Sequence, residues 1–125
     1  MRKLIVGGCI FLILSGLILH YGEYFEIFTG YSAISALHIW AGIFFIVIFP
    51  MYAWDHIRTH RKRLKKMSWV SGSGIIQLLS GVVLILSGIV LLLFGTNKLA
   101  LSTELHFVPT FFLAASLFLH SLIKK

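Results

Sequence analysis

The stretch HFVPTFFLAASLFLH, residues 106–120, decides how this chain is read. It is apolar between two histidines that stand 14 positions apart. As an α-helix it carries His106 and His120 roughly 21 Å apart along the axis and about 40° apart around it. Both rings then share one face, near the two ends of a segment long enough to cross a bilayer. An ionisable side chain in a membrane helix is costly and usually has a task. A second apolar stretch repeats the plan. His38 and His56 are 18 positions apart, roughly 27 Å along a helix and almost on one face.

Outward from these two stretches, the chain is a membrane protein by composition. Apolar residues make up 58% of its 125 residues and charged residues only 12%, a balance outside that of soluble domains. The apolar runs predict one all-α integral membrane domain, residues 1–125, with helices at about 4–21, 32–64, 73–95 and 105–123. The expected fold is a transmembrane four-helix up-down bundle.

The charges predict its orientation. Arg2 and Lys3 precede the first helix, and Lys124 and Lys125 end the chain. Arg58, Arg61, Lys62, Arg63, Lys65 and Lys66 lie between the second and third helices. Of the lysines and arginines, only Lys98 falls in the third-to-fourth connection, whereas Glu23, Glu26 and Glu104 lie in the two opposite connections. The positive-inside rule puts both termini in the cytoplasm. The net charge of +7 therefore reads as a topology signal, with some lipid contact, and no nucleic-acid partner is expected. Arg2-Lys3 before an apolar run imitates a secretory signal, but no clear small-x-small cleavage site follows, so the segment is expected to stay as a helix. Cys9 after Gly7-Gly8 has too short an apolar run before it for a lipoprotein site. As a single cysteine it excludes an internal disulfide and a C-x-x-C-H haem attachment.

The chain repeats itself weakly. Ile13-Leu14-Ser15-Gly16-Leu17 matches Ile85-Leu86-Ser87-Gly88-Ile89, and Ala36-Leu37-His38 matches Glu104-Leu105-His106. The plan is two helical hairpins in tandem. In the third helix Ser73-Gly74, Ser80-Gly81 and Ser87-Gly88 recur every seven residues, and Gly95 continues the series. Such a face suits close helix packing, or a flat macrocycle lying against it. Pro50 should kink or loosen the second helix. Pro109 is expected in the first turn of the fourth, where proline is tolerated. Ser71-Gly72 is expected to turn the chain into the third helix. Trp40, Trp54 and Trp69 fit interfacial anchors. Phe44, Phe45, Phe111, Phe112 and Phe118 fit lipid-facing or ring-packing positions.

In an alternating bundle the second and fourth helices run the same way. His38 then levels with His106, and His56 with His120. Zinc would want further ligands, of which cysteine or carboxylate is preferred. Haem iron needs only two axial donors, because the porphyrin supplies the other four. Bis-histidine ligation leaves no open position on iron, so such a site moves electrons. Two such sites would span the bilayer. His60, one turn beyond His56, is the alternative inner ligand, and a two-histidine metal site at His56 and His60 is a lesser reading. His20, with Tyr21, Glu23 and Glu26, and Arg58 are candidates for quinone or haem-propionate contact. Arg61 and Lys66 are further candidate propionate partners.

Leu37-His38-Ile39-Trp40-Ala41-Gly42, Trp54-Asp55-His56-Ile57 and Leu105-His106 through Leu119-His120 together resemble the four-helix dihaem cytochrome b superfamily. That group includes the cytochrome b subunits of formate dehydrogenases and nickel–iron hydrogenases, and many small membrane cytochromes. The resemblance covers nearly the whole chain on sparse motifs. It implies two non-covalent b-type haems, menaquinone or ubiquinone as an electron-exchange partner, and separate multihaem cytochrome or iron–sulfur subunits. It also implies a multi-pass place in the inner membrane of a prokaryote and the role of electron-transfer subunit rather than stand-alone enzyme. Gly42, a turn after His38, matches a glycine that makes room for the haem ring. Gly16, Gly81 and Gly88 are further candidates for packing against it. The pattern is also departed from. Those subunits typically draw one ligand from the first helix, but here His20 lies on the outer side. In the second helix the position 14 beyond His38 is Tyr52, and His56 comes a turn later, an offset of roughly 6 Å. The alternative expectation is a haem-free or single-haem membrane anchor for a redox enzyme. A small metal transporter is a third.

Overall fold

The computed structural model describes residues 2–25, 31–64, 68–95 and 100–123, and these fall almost entirely in four α-helices. They are α1 (Arg2–Phe25), α2 (Tyr31–Leu64), α3 (Trp69–Phe94) and α4 (Ala100–Ile123). Each contains a span long and apolar enough to cross a membrane: Lys3–Gly22, Ala33–Lys62, Trp69–Phe94 and Leu101–His120. Glu26, Gly30, Lys65, Lys66, Thr96, Asn97, Lys98, Lys124 and Lys125 lie outside the described residues, as do the side chains of Glu23 and Arg63.

Burial is inverted relative to a soluble domain. Among the described residues the buried polar ones are all serines: Ser15, Ser71, Ser73, Ser80, Ser87 and Ser116. The buried apolar residues are Ile5, Cys9, Phe49 and Leu113, while Leu14, Phe44, Leu79, Leu86, Phe112 and Phe118 are exposed. Lipid tails are as apolar as leucine, so membrane helices gain nothing by hiding large side chains from them. They associate through small residues that let backbones approach and through interhelical hydrogen bonds. Trp40, Trp54 and Trp69 are 70%, 73% and 87% exposed.

The chain divides into two compact units, Met1–Phe49 and Pro50–Lys125. The division falls inside α2, at Pro50. Proline lacks the N–H that would bond the carbonyl four residues back. Yet the one non-helical residue inside α2 is His60, with φ −105° and ψ 15°, so the backbone departs from helix beyond the proline.

In the first unit α1 and the first half of α2 run antiparallel. Gly8 lies against Phe45, where an added Cβ would stand 3.6 Å from the ring, and Ser15 meets His38. Phe45 stacks on Phe49 at 5.1 Å. In the second unit α3 and α4 form an antiparallel pair. Ser73 meets His120, Gln77 meets Ser116, and Ser87 meets His106. Fourteen residues separate the outer serines and fourteen the histidines, so the register holds without slipping over about four turns. It sets buried Ser80 level with buried Leu113, midway between the two histidines.

Helix ends differ in detail from the sequence expectation. α3 begins at Trp69, so Ser71-Gly72 is its first turn. Ser68 is the N-cap, its hydroxyl accepting from the Ser71 N–H at 3.3 Å. Gly95 does not extend the packing face. It ends α3 at φ +75°, its N–H donating to the Leu91 carbonyl at 2.8 Å. α4 begins at Ala100, which makes Pro109 an interior residue. The Thr110 hydroxyl beside it donates to the His106 carbonyl at 3.2 Å.

Candidate functional site: serine-held histidines

Each hairpin places a histidine over a Ser-Gly step of the neighbouring helix. The Ser15 hydroxyl is 2.7 Å from Nδ1 of His38. The Ser87 hydroxyl is 2.9 Å from Nδ1 of His106. The following glycine lies under the same imidazole. A Cβ added at Gly16 would stand 3.3 Å from His38 Cε1, and one at Gly88 would stand 3.1 Å from His106 Cε1. Any side chain there would push the ring away. The weak repeat in the sequence is thus a repeat of one local construction. A third serine repeats half of it: Ser73 Oγ is 3.0 Å from Nδ1 of His120.

The serines' own bonds are consistent with one direction for these contacts. Ser15 Oγ lies 2.8 Å from the Phe11 carbonyl and 3.3 Å from that of Leu12. Ser87 Oγ lies 2.7 Å from the Val83 carbonyl and 3.2 Å from that of Leu84. Ser73 Oγ lies 3.0 Å from the Val70 carbonyl. Carbonyls only accept, and a hydroxyl has one proton to donate. With that proton directed at its own helix, each serine presents lone pairs to the imidazole. Nδ1 is then the protonated nitrogen, and the ring's lone pair is on Nε2. This is the tautomer in which a histidine binds a metal through Nε2 while its other nitrogen is held by a neighbour.

His56 is placed differently. Its ring stacks on Tyr52 at 5.6 Å and meets His60 edge-on at 4.6 Å. It stands 6.5 Å from His120, centroid to centroid, with the planes at 67°. Two imidazoles on opposite sides of one metal ion, with nitrogen–metal bonds of about 2.0–2.1 Å, have centroids about 6 Å apart. The second unit therefore brings together the inner histidines expected from the sequence, and it brings His60 beside them. Among the described residues, no group of three or more His, Cys, Asp or Glu side chains is arranged to hold a metal ion. A donor set of two imidazoles fits a metal whose remaining ligands come from a macrocycle.

The other candidates lie apart from this construction. Gly81 is buried on α3. A Cβ at Gly42 would meet nothing within 4 Å. His20 meets Tyr21 edge-on at 5.0 Å, and Arg58 and Arg61 are exposed on α2. Sequence reasoning singled out Ser73 and Ser87 as packing residues and Ser15 as part of a repeat, and missed all three as histidine partners. The signal was present in the fourteen residues between Ser73 and Ser87, which equal the fourteen between His106 and His120, but the pairing follows only once the antiparallel register is known. The chain matches no family model, no curated protein and no solved structure.

Proposed function

We propose that the chain is a membrane-embedded dihaem b-type cytochrome, in which His56 and His120 would hold one haem and His38 and His106 the other. The observation this reading starts from is the repeated Ser–His contact; with Nδ1 protonated, it would leave the Nε2 lone pairs of His38, His106 and His120 as donors to a metal. The first ligand pair is also favoured by its 6.5 Å ring separation. The second rests on the level of the two histidines in the sequence. A haem bound by two of these imidazoles would supply reversible one-electron transfer.

The protein's own residues have separable parts in this reading. The histidines would supply nitrogen ligands to the haem iron. The serines hold their tautomer, and Gly16 and Gly88 leave room for the rings. The large exposed apolar side chains keep the assembly in lipid, and Arg58, Arg61 and Lys62 hold the end of α2 on the cytoplasmic side. Both termini are then cytoplasmic, in the inner membrane of a prokaryote. Electrons cross between a quinone pool (menaquinone or ubiquinone) and partner subunits of the multihaem cytochrome or iron–sulfur kind.

The test is haem content in purified variants. His38→Ala, His106→Ala and His120→Ala should each lose about one haem per chain relative to wild type. Full haem content in all three would overturn the reading. The Tyr52–His56–His60 cluster favours one alternative, His60 as the inner ligand. His56→Ala with unchanged haem content would support that alternative.

A further inference from the structure

We infer that Ser15, Ser73 and Ser87 are positioning residues that set how strongly His38, His120 and His106 donate to a metal. The consequence for iron rests on the haem reading above. The hydrogen bonds themselves do not.

A hydrogen-bond acceptor on Nδ1–H draws that proton outward and makes Nε2 a stronger donor. A stronger donor favours ferric over ferrous iron and so lowers the reduction potential. The construction is rigid in two ways. Each serine is anchored to carbonyls of its own helix, as Ser15 is to Phe11 and Leu12, so the acceptor has a fixed position. The glycines under His38 and His106 hold those rings close to the backbone. Ser80 supplies an internal control. It is as buried as Ser73 and Ser87 and on the same face of α3, but level with Leu113.

Two measurements on the full chain test the inference. In redox titration of the haem-loaded protein, Ser87→Ala should shift the potential of one haem upward and weaken haem binding about 10- to 100-fold. Ser87→Thr keeps the hydroxyl and should restore the wild-type potential, and Ser80→Ala should leave it unmoved. Unchanged potentials in Ser15→Ala, Ser73→Ala and Ser87→Ala, with haem still bound, would overturn the inference. Loss of helix packing alone would not give this pattern, because Ser80→Ala disturbs the same seam. The second measurement needs neither haem nor a variant. Nitrogen-15 spectra of the histidine-labelled, haem-free wild type should show His106 as the Nδ1–H tautomer. An Nε2–H tautomer there would overturn the inference whatever binds. A chain that shows the Nδ1–H tautomer but binds no haem would overturn the haem reading alone.

Discussion

At the scale of the residue, the site depends on close contacts between small groups. Gly88 and Gly16 have less space above them than a methyl group takes. Gly88→Ala should push His106 by a few tenths of an ångström, weaken its contact with Ser87 and lower haem retention by about tenfold, read from the absorbance of the purified variant. Gly42 has open space above it, so Gly42→Ala should leave the thermal stability of the haem-free chain unchanged. If the macrocycle lies against that face, the same variant should lose haem, and the pair of measurements separates the two roles. His38, His106 and His120 were legible in the sequence because an ionisable group in an apolar helix stands out. Their serine partners were not. A serine in a membrane helix is also what close packing requires, and nothing in one helix shows which residue of its neighbour it meets.

At the scale of the element, the α3–α4 seam combines a heptad of serines with one amide. Gln77 Nε2 donates to the Ser116 carbonyl at 3.0 Å, and Ser116 Oγ donates to the Leu113 carbonyl at 3.0 Å. An interhelical hydrogen bond in a membrane contributes about 0.6 kcal/mol, up to about 1–2. Gln77→Leu should therefore lower stability by about that amount, measured by unfolding in mixed micelles, and leave the His106 tautomer as it was. At the start of α3, Ser68→Ala removes the cap on the Ser71 N–H and should cost about 1 kcal/mol. The existence of the four helices was plain from hydropathy. Their ends were harder to read, since Ser68 lies outside the apolar run that marks α3 and Pro109 suggested a later start for α4 than Ala100.

At the scale of the molecule, one construction occurs in both compact units. Ser15-Gly16 with His38 occurs in the first, and Ser87-Gly88 with His106 in the second. Ser73 with His120 repeats it in part. His56 departs from it, set among Tyr52, His60 and His120. Tyr52 stands where strict repetition would put a histidine, which is why the inner level was the weaker part of the pattern in the sequence. Orientation is testable with reporters fused at either end of the chain, and both should report a cytoplasmic location. The haem count of the purified wild-type chain tests the central claim most directly. A reduced-minus-oxidised difference spectrum, with the pigment extracted and quantified against protein, should show two b-type haems per chain. One haem would contradict the two-centre account, and none would contradict haem ligation by these histidines altogether.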